Sequence, residues 1–160
     1  SLFFFVRAKI ALPVFGYKSH IAIDRRFGFI RECAVTSASH ADGRMLPKLA
    51  TTQNTSSEVW ADSAYRSQKN EKWLASKILV SRIHRRKPAG RPMPQNIARA
   101  NAGKSSIRAA VEHVFAHQKN RFGLFIRTIG IVRAKVKIGL ANLTYNIRRL
   151  VFQEGRRANL

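Results

Sequence analysis

The chain has 160 residues with 45% apolar content, enough to bury one core of ordinary size, and nothing divides it, so a single domain over residues 1–160 is expected. Thirty Lys and Arg against eight Asp and Glu give a formal charge of +22, far more than solubility requires, so the composition points to a polyanionic partner, nucleic acid first. Cys33 is the only cysteine, which excludes an internal disulfide and a cysteine-rich zinc module and agrees with a reducing, intracellular compartment.

The first residues, Ser1-Leu-Phe-Phe-Phe-Val-Arg7, hold five apolar residues in a row, but Arg7 and Lys9 cut the run far short of the roughly 20 residues a membrane helix needs. No basic leader precedes it, so neither a signal peptide nor a membrane partner is expected. Val14 to Asp24 and Phe27 to Ser37 are rich in aromatic and β-branched residues, with a turn signal at Asp24-Arg-Arg-Phe-Gly28, and are predicted to form a β-hairpin. Between Ala41 and Thr52, Met45, Leu46 and Leu49 have helical spacing, which Pro47 confines to a short or late-starting helix. Glu58 to Ala61 reads as a short buried strand ending at Asp62, Gln68 to Ser76 as a helix and Lys77 to Ile83 as another strand.

From His84 to Gln95 (HRRKPAGRPMPQ) three prolines, a glycine and four cations leave no apolar period. This is a basic loop within the domain, with Arg85, Arg86, Lys87 and Arg91 as candidate DNA contacts. Two long helices are predicted, Asn96 to about Phe122 and Ile131 to about Phe152. The second carries Val132, Val136, Leu140, Leu143, Ile147 and Leu150 on one side, the expected buried face, and Arg133, Lys135, Lys137, Arg148 and Arg149 on the other. The order of hairpin, helix, strand, helix, strand and long helices implies an α/β domain with a mixed sheet flanked by helices, compatible with a ribonuclease H-like fold.

Only eight acids exist, so any that borders the core stands out. Asp62 ends an apolar strand, where α/β sheets place ligand groups; the plainer role for it is a cap or turn residue. At about 100° per residue, Arg108, Glu112 and Lys119 fall within an arc of roughly 40° beside an apolar stripe of Ile107, Val111, Val114, Phe115 and Phe122. That layout sets a carboxylate between two cations suited to phosphate oxygens; ordinary pairing along an amphipathic helix explains it as well. His113 and His117 are four apart, but the metalloprotease pattern HExxH is absent, and they are expected to be solvated or DNA-facing.

Val59-Trp-Ala-Asp62-Ser-Ala-Tyr65, the hairpin sequence and Arg108-xxx-Glu112-xxxxxx-Lys119 together resemble the IS5-type, IS4-related DDE transposases of bacterial insertion sequences, over roughly residues 11 to 155. The resemblance implies a ribonuclease H-like catalytic domain in which two Asp and one Glu bind Mg²⁺ or Mn²⁺ for strand cleavage and transfer at transposon ends. Asp62 would be the second acid and Glu112 the third, both catalytic and metal-binding, with Arg108 and Lys119 on phosphate. Ser105 stands where the family has Tyr, and no acid precedes Asp24, so the family's first Asp is missing. The reading is therefore of a domain truncated and incomplete at its N-terminus, with weakened metal binding and no transposition alone. Implied partners are double-stranded DNA with terminal inverted repeats, a second copy or full-length transposase, in the nucleoid of a bacterial cytoplasm. The rivals are a non-catalytic basic DNA-binding protein and a ribosomal-type RNA-binding protein.

Overall fold

The computed structural model describes residues 2–4, 8–11, 16–51, 58–124, 126 and 129–158; for 2–4, 8–11 and 108 the backbone alone is described. Strands β1 (Leu2–Phe4) and β2 (Ala8–Ala11) precede the expected hairpin, β3 (Gly16–Asp24) and β4 (Ile30–Ser37). Asp42–Met45 forms a 3₁₀ turn that runs into α1 (Leu46–Leu49), with Pro47 in its first turn, where a missing N–H costs nothing. Then come β5 (Glu58–Trp60), a 3₁₀ turn at Ser63–Tyr65, α2 (Gln68–Ser76), β6 (Val80–Ser81), α3 (Gln95–Arg121) and α4 (Ile131–Ala158).

All six strands join one sheet. On one side β3 pairs antiparallel with β4 from Tyr17↔Ser37 to Ile23↔Ile30. On its other side it takes β2 (Ala8↔Ser19) and β1 (Leu2↔Asp24), also antiparallel. β1 then runs parallel to β5, and β5 parallel to β6. Two antiparallel neighbours beside a parallel set make the ribonuclease H-like mixed sheet. The sequence placed no strand ahead of the hairpin; β1 lies there, between β3 and β5.

The predicted strand Lys77 to Ile83 shrinks to two residues because Ile78, exposed and at φ 57°, turns out of α2. Parallel pairing still continues past β6, through Arg82 N–H to Val59 O (2.8 Å) and His84 N–H to Ala61 O (3.0 Å).

Both faces of the sheet are covered, which is why β3 is buried along almost its whole length. Ala22, Ala34, Val59 and Ala61 face α1 and α2 with Leu46, Leu49, Tyr65 and Leu74. Ile21, Ile23 and Ile30 face α3 through Val111 and Val114, joined by Trp60, Ile107, Phe115 and Tyr145. A third cluster, Tyr17, Ile126, Ala134 and Ile138, seats the start of α4.

The orientation of α4 differs from the sequence expectation. Val132, Val136, Leu140, Leu143, Ile147 and Leu150 each stay more than half exposed, while Ala134, Ile138, Ala141 and Asn142 are buried. Polar chemistry decides this: Asn146 bonds both Ile30 N–H (2.9 Å) and Ile30 C=O (2.8 Å), and Gln118 donates to Asn142 (2.7 Å). Small Ala134 and Ala141 let the helix approach the sheet, and burying the alternative face would leave these groups unpaired.

Candidate metal and nucleic-acid site

Asp62 follows β5 and Ala61 and is half-buried. Its carboxylate accepts from the next N–H, that of Ser63, and its carbonyl from Tyr65 N–H (3.0 Å), so it caps the Ser63–Tyr65 turn. Below the turn Tyr65 is fully buried, its hydroxyl 2.9 Å from His20 Nδ1, while His20 Nε2 lies 2.9 Å from Thr36 Oγ1. Beside it the buried Lys18 ammonium meets Asp42 at 2.9 Å and donates to His40 C=O at 2.7 Å. The sequence reading missed this polar interior, because Lys18 and His20 on a hairpin strand look like a solvated face.

Cations gather where β5 and β6 end. Arg86 donates to the carbonyls of Ser63 (2.9 Å) and Ala64 (3.4 Å), which ties the basic loop to the turn after Asp62. Arg66 and Lys104 both donate to Ile83 C=O, at 2.9 and 3.2 Å. Burial first, then the charges of Arg66, Arg85 and Arg82, hold the Lys104 ammonium below its ordinary proton affinity, with Glu71 opposing. The Arg85 backbone is held in both directions by Asn101 of α3 (3.1 and 3.0 Å), fixing the end of β6 against that helix. Arg85, Arg86, Lys87 and Arg91 are all exposed.

Glu112 stands on α3 next to buried Val111, which packs in the same apolar cluster as Trp60, two residues before Asp62. Asp62 and Glu112 are thus carried on segments that meet in one cluster; Glu112 itself is exposed, as is Lys119 two turns on. The side chain of Arg108 lies outside the described residues.

Further along α3 a cleft of about 360 Å³ opens against α4, lined by His113, His117, Arg121, Tyr145, Arg148, Arg149 and Phe152, with no carboxylate among them. His117 lies edge-on to Phe122 (5.0 Å) and Tyr145 (5.8 Å). Burial, and then Arg148 and Arg121, lower its proton affinity. Three guanidiniums and two imidazoles around aromatic walls suit phosphate oxygens.

Comparison with protein families matches residues 13–147 to the Transposase DDE domain. The chain belongs to this family. No curated protein and no solved structure matches it. A DNA transposase function on a DNA substrate follows from membership, and DDE transposases use divalent metal ions. Among the described residues no helix is long and apolar enough to cross a membrane.

The described residues of this transposase domain do not gather a full set of ligands for a divalent ion. Among the described residues no group of three or more His, Cys, Asp or Glu is placed to hold a metal ion. The strand beside β5 offers no carboxylate, since no acid precedes Asp24. Asp24 is used elsewhere: its oxygens accept from Phe27, Gly28 (3.2 Å) and Phe29 (3.1 Å) N–H, and it is 8% exposed. It also sits opposite Leu2, whose parallel partner is Val59, so Asp62 lies about 10 Å further along the strand direction.

Proposed function

We propose that this is the DDE domain of an IS5-type insertion-sequence transposase that holds the terminal inverted repeats of its element as duplex DNA, and that this chain alone binds them without cutting. In this reading Asp62 and Glu112 are the two carboxylates offered to Mg²⁺ or Mn²⁺. Arg108 and Lys119 steady a phosphate beside Glu112, while Arg85, Arg86, Lys87 and Arg91 follow the duplex backbone, within the bacterial nucleoid.

The observation that carries the proposal is the meeting of the Asp62 and Glu112 segments in one apolar cluster, bordered by cations, within a family that acts on DNA. Two carboxylates are one fewer than the family's chemistry uses, so the ion is held weakly and strand cleavage fails. The carboxylate-free cleft between α3 and α4, on the same helix as Glu112 and Lys119, supports further backbone contact.

The test is metal-dependent nicking of terminal-repeat duplex by the purified chain, with Asp62→Asn and Glu112→Gln beside it. Salt-sensitive binding without nicking is expected. Nicking abolished by both substitutions would overturn the inactivity and require a third ligand; preference for structured RNA over duplex DNA would overturn the DNA reading.

A further inference from the structure

The outward face of α4 carries a stripe that ordinary solvation does not explain. Val132, Val136, Leu140, Leu143, Ile147, Leu150 and Val151 are 51% to 69% exposed, although the opposite face of the helix is buried. Together they present on the order of 700 Å² of apolar residue surface, against about 800 Å² per partner in a standard stable interface. Contiguous patches of this size on soluble proteins mark interaction sites.

The spacing identifies the occupant. From Val136 the stripe runs Leu140, Leu143, Ile147, Leu150, alternating steps of four and three, the seam of a helix pair. It is also symmetric in sequence. Leu140 and Leu143, Val136 and Ile147, and Val132 and Val151 are each equidistant from the point between Ala141 and Asn142. A two-fold axis through that point sets these six residues opposite their counterparts on an antiparallel second helix, as an isologous interface requires.

A parallel pair would instead place Arg133 against Arg133, Glu154 against Glu154 and Arg157 against Arg157 along the seam. The antiparallel register puts Leu150 opposite Arg133, and helix dipoles favour it. Beside the central layers, Lys137, Gly139, Thr144 and Asn146 bring a single charge to the flanks, in a chain of net charge +22. Repulsion across the seam is therefore small where a highly cationic protein would otherwise resist self-association.

We infer that α4 is a dimerisation helix: two copies of this chain pair antiparallel through the Val132–Val151 stripe. The pairing leaves the cleft residues His113, His117 and Arg121 of α3 outside the seam and does not depend on DNA, so its failure leaves the transposase reading standing.

Sedimentation velocity of the nuclease-treated full chain, at salt high enough to screen its charge, reads the association. A species of twice 18.1 kDa that grows with concentration is expected. Leu143→Lys should weaken it by about 30-fold or more, while Ile78→Lys, at a site 91% exposed elsewhere, leaves it unchanged. Far-UV circular dichroism checks that Leu143→Lys is folded, and Ile147→Gln repeats the measurement more gently. In a Cys33→Ser background, Val132→Cys mixed with Val151→Cys should cross-link on oxidation, and Val132→Cys alone should not. A monomer at every concentration, a dimer indifferent to both seam variants, or self-cross-linking of Val132→Cys would overturn the inference.

Discussion

Asp24, in the turn signal between the two hairpin strands, shows how one carboxylate is committed to structure. Its carboxylate collects the N–H groups of Phe27, Gly28 and Phe29 in the turn that joins β3 to β4, and Gly28 at φ 74° lies against the Arg149 guanidinium, where a Cβ would come within 3.1 Å. Asp24→Ala strands those donors and should cost about 2 kcal/mol, read as a lower urea midpoint with an unchanged slope, while DNA binding by the folded fraction persists. His117 offers a different test. Its folded-state proton affinity lies below the ordinary value of 6.5, through burial first and then Arg148 and Arg121. As pH falls below about 6.5 the unfolded chain takes up this proton more readily than the folded one, so the native state loses stability in that window and none above it. His117→Asn should flatten the fall of the urea midpoint between about pH 7.5 and 5.5; an unaltered pH profile would remove His117 as its source.

At the scale of elements, the hairpin, the strand before Asp62 and both long helices were legible because apolar period and turn residues act locally. The facing of α4 was not, because its most apolar stripe is the one left exposed. What orients the helix is polar: Asn146 on both backbone groups of Ile30, Gln118 on Asn142, Tyr145 O–H on Gly28 C=O (3.3 Å), and Gln153 N–H on Phe27 C=O (3.1 Å). Such pairs join residues more than 20 positions apart, and no window of sequence reveals them. The burial of Lys18 and His20 was hidden for a related reason, since the layers covering β3 come from distant segments. In the site, Asp62 and Glu112 stood out as acids bordering apolar runs, whereas the Arg86 tie to the Ser63 turn and the Asn101 hold on Arg85 needed the folded chain. Asn146→Ala tests the polar account of α4. It leaves Ile30 N–H and C=O without their partner and should destabilise by about 2 kcal/mol, with faster amide exchange in β4 than in β3; a change under about 0.5 kcal/mol, ordinary for a surface site, would mean that apolar contacts alone orient the helix.

For the whole molecule the decisive quantity is charge. With thirty cations to eight acids, the chain's own carboxylates cannot neutralise the excess, and a polyanion can. Lys18 pairs with Asp42 in the interior, Arg82 with Glu58 at 2.8 Å, and Arg66 and Arg86 hold carbonyls, so these are poor choices for testing DNA contact. Arg85, Lys87 and Arg91 are exposed along the loop that Asn101 docks onto α3, and neutralising them disturbs no side-chain bond described above. Each phosphate contact contributes about 0.9 to the slope of log affinity against log salt. Replacing all three by Ala should therefore flatten that slope by nearly three if each contacts one phosphate, weaken duplex binding most at low salt, and leave the urea midpoint in place. A parallel loss of affinity at every salt concentration, with the slope kept, would instead mean that the loop shapes the site without touching the DNA backbone, and the contacts would then have to come from the Arg121, Arg148 and Arg149 cleft.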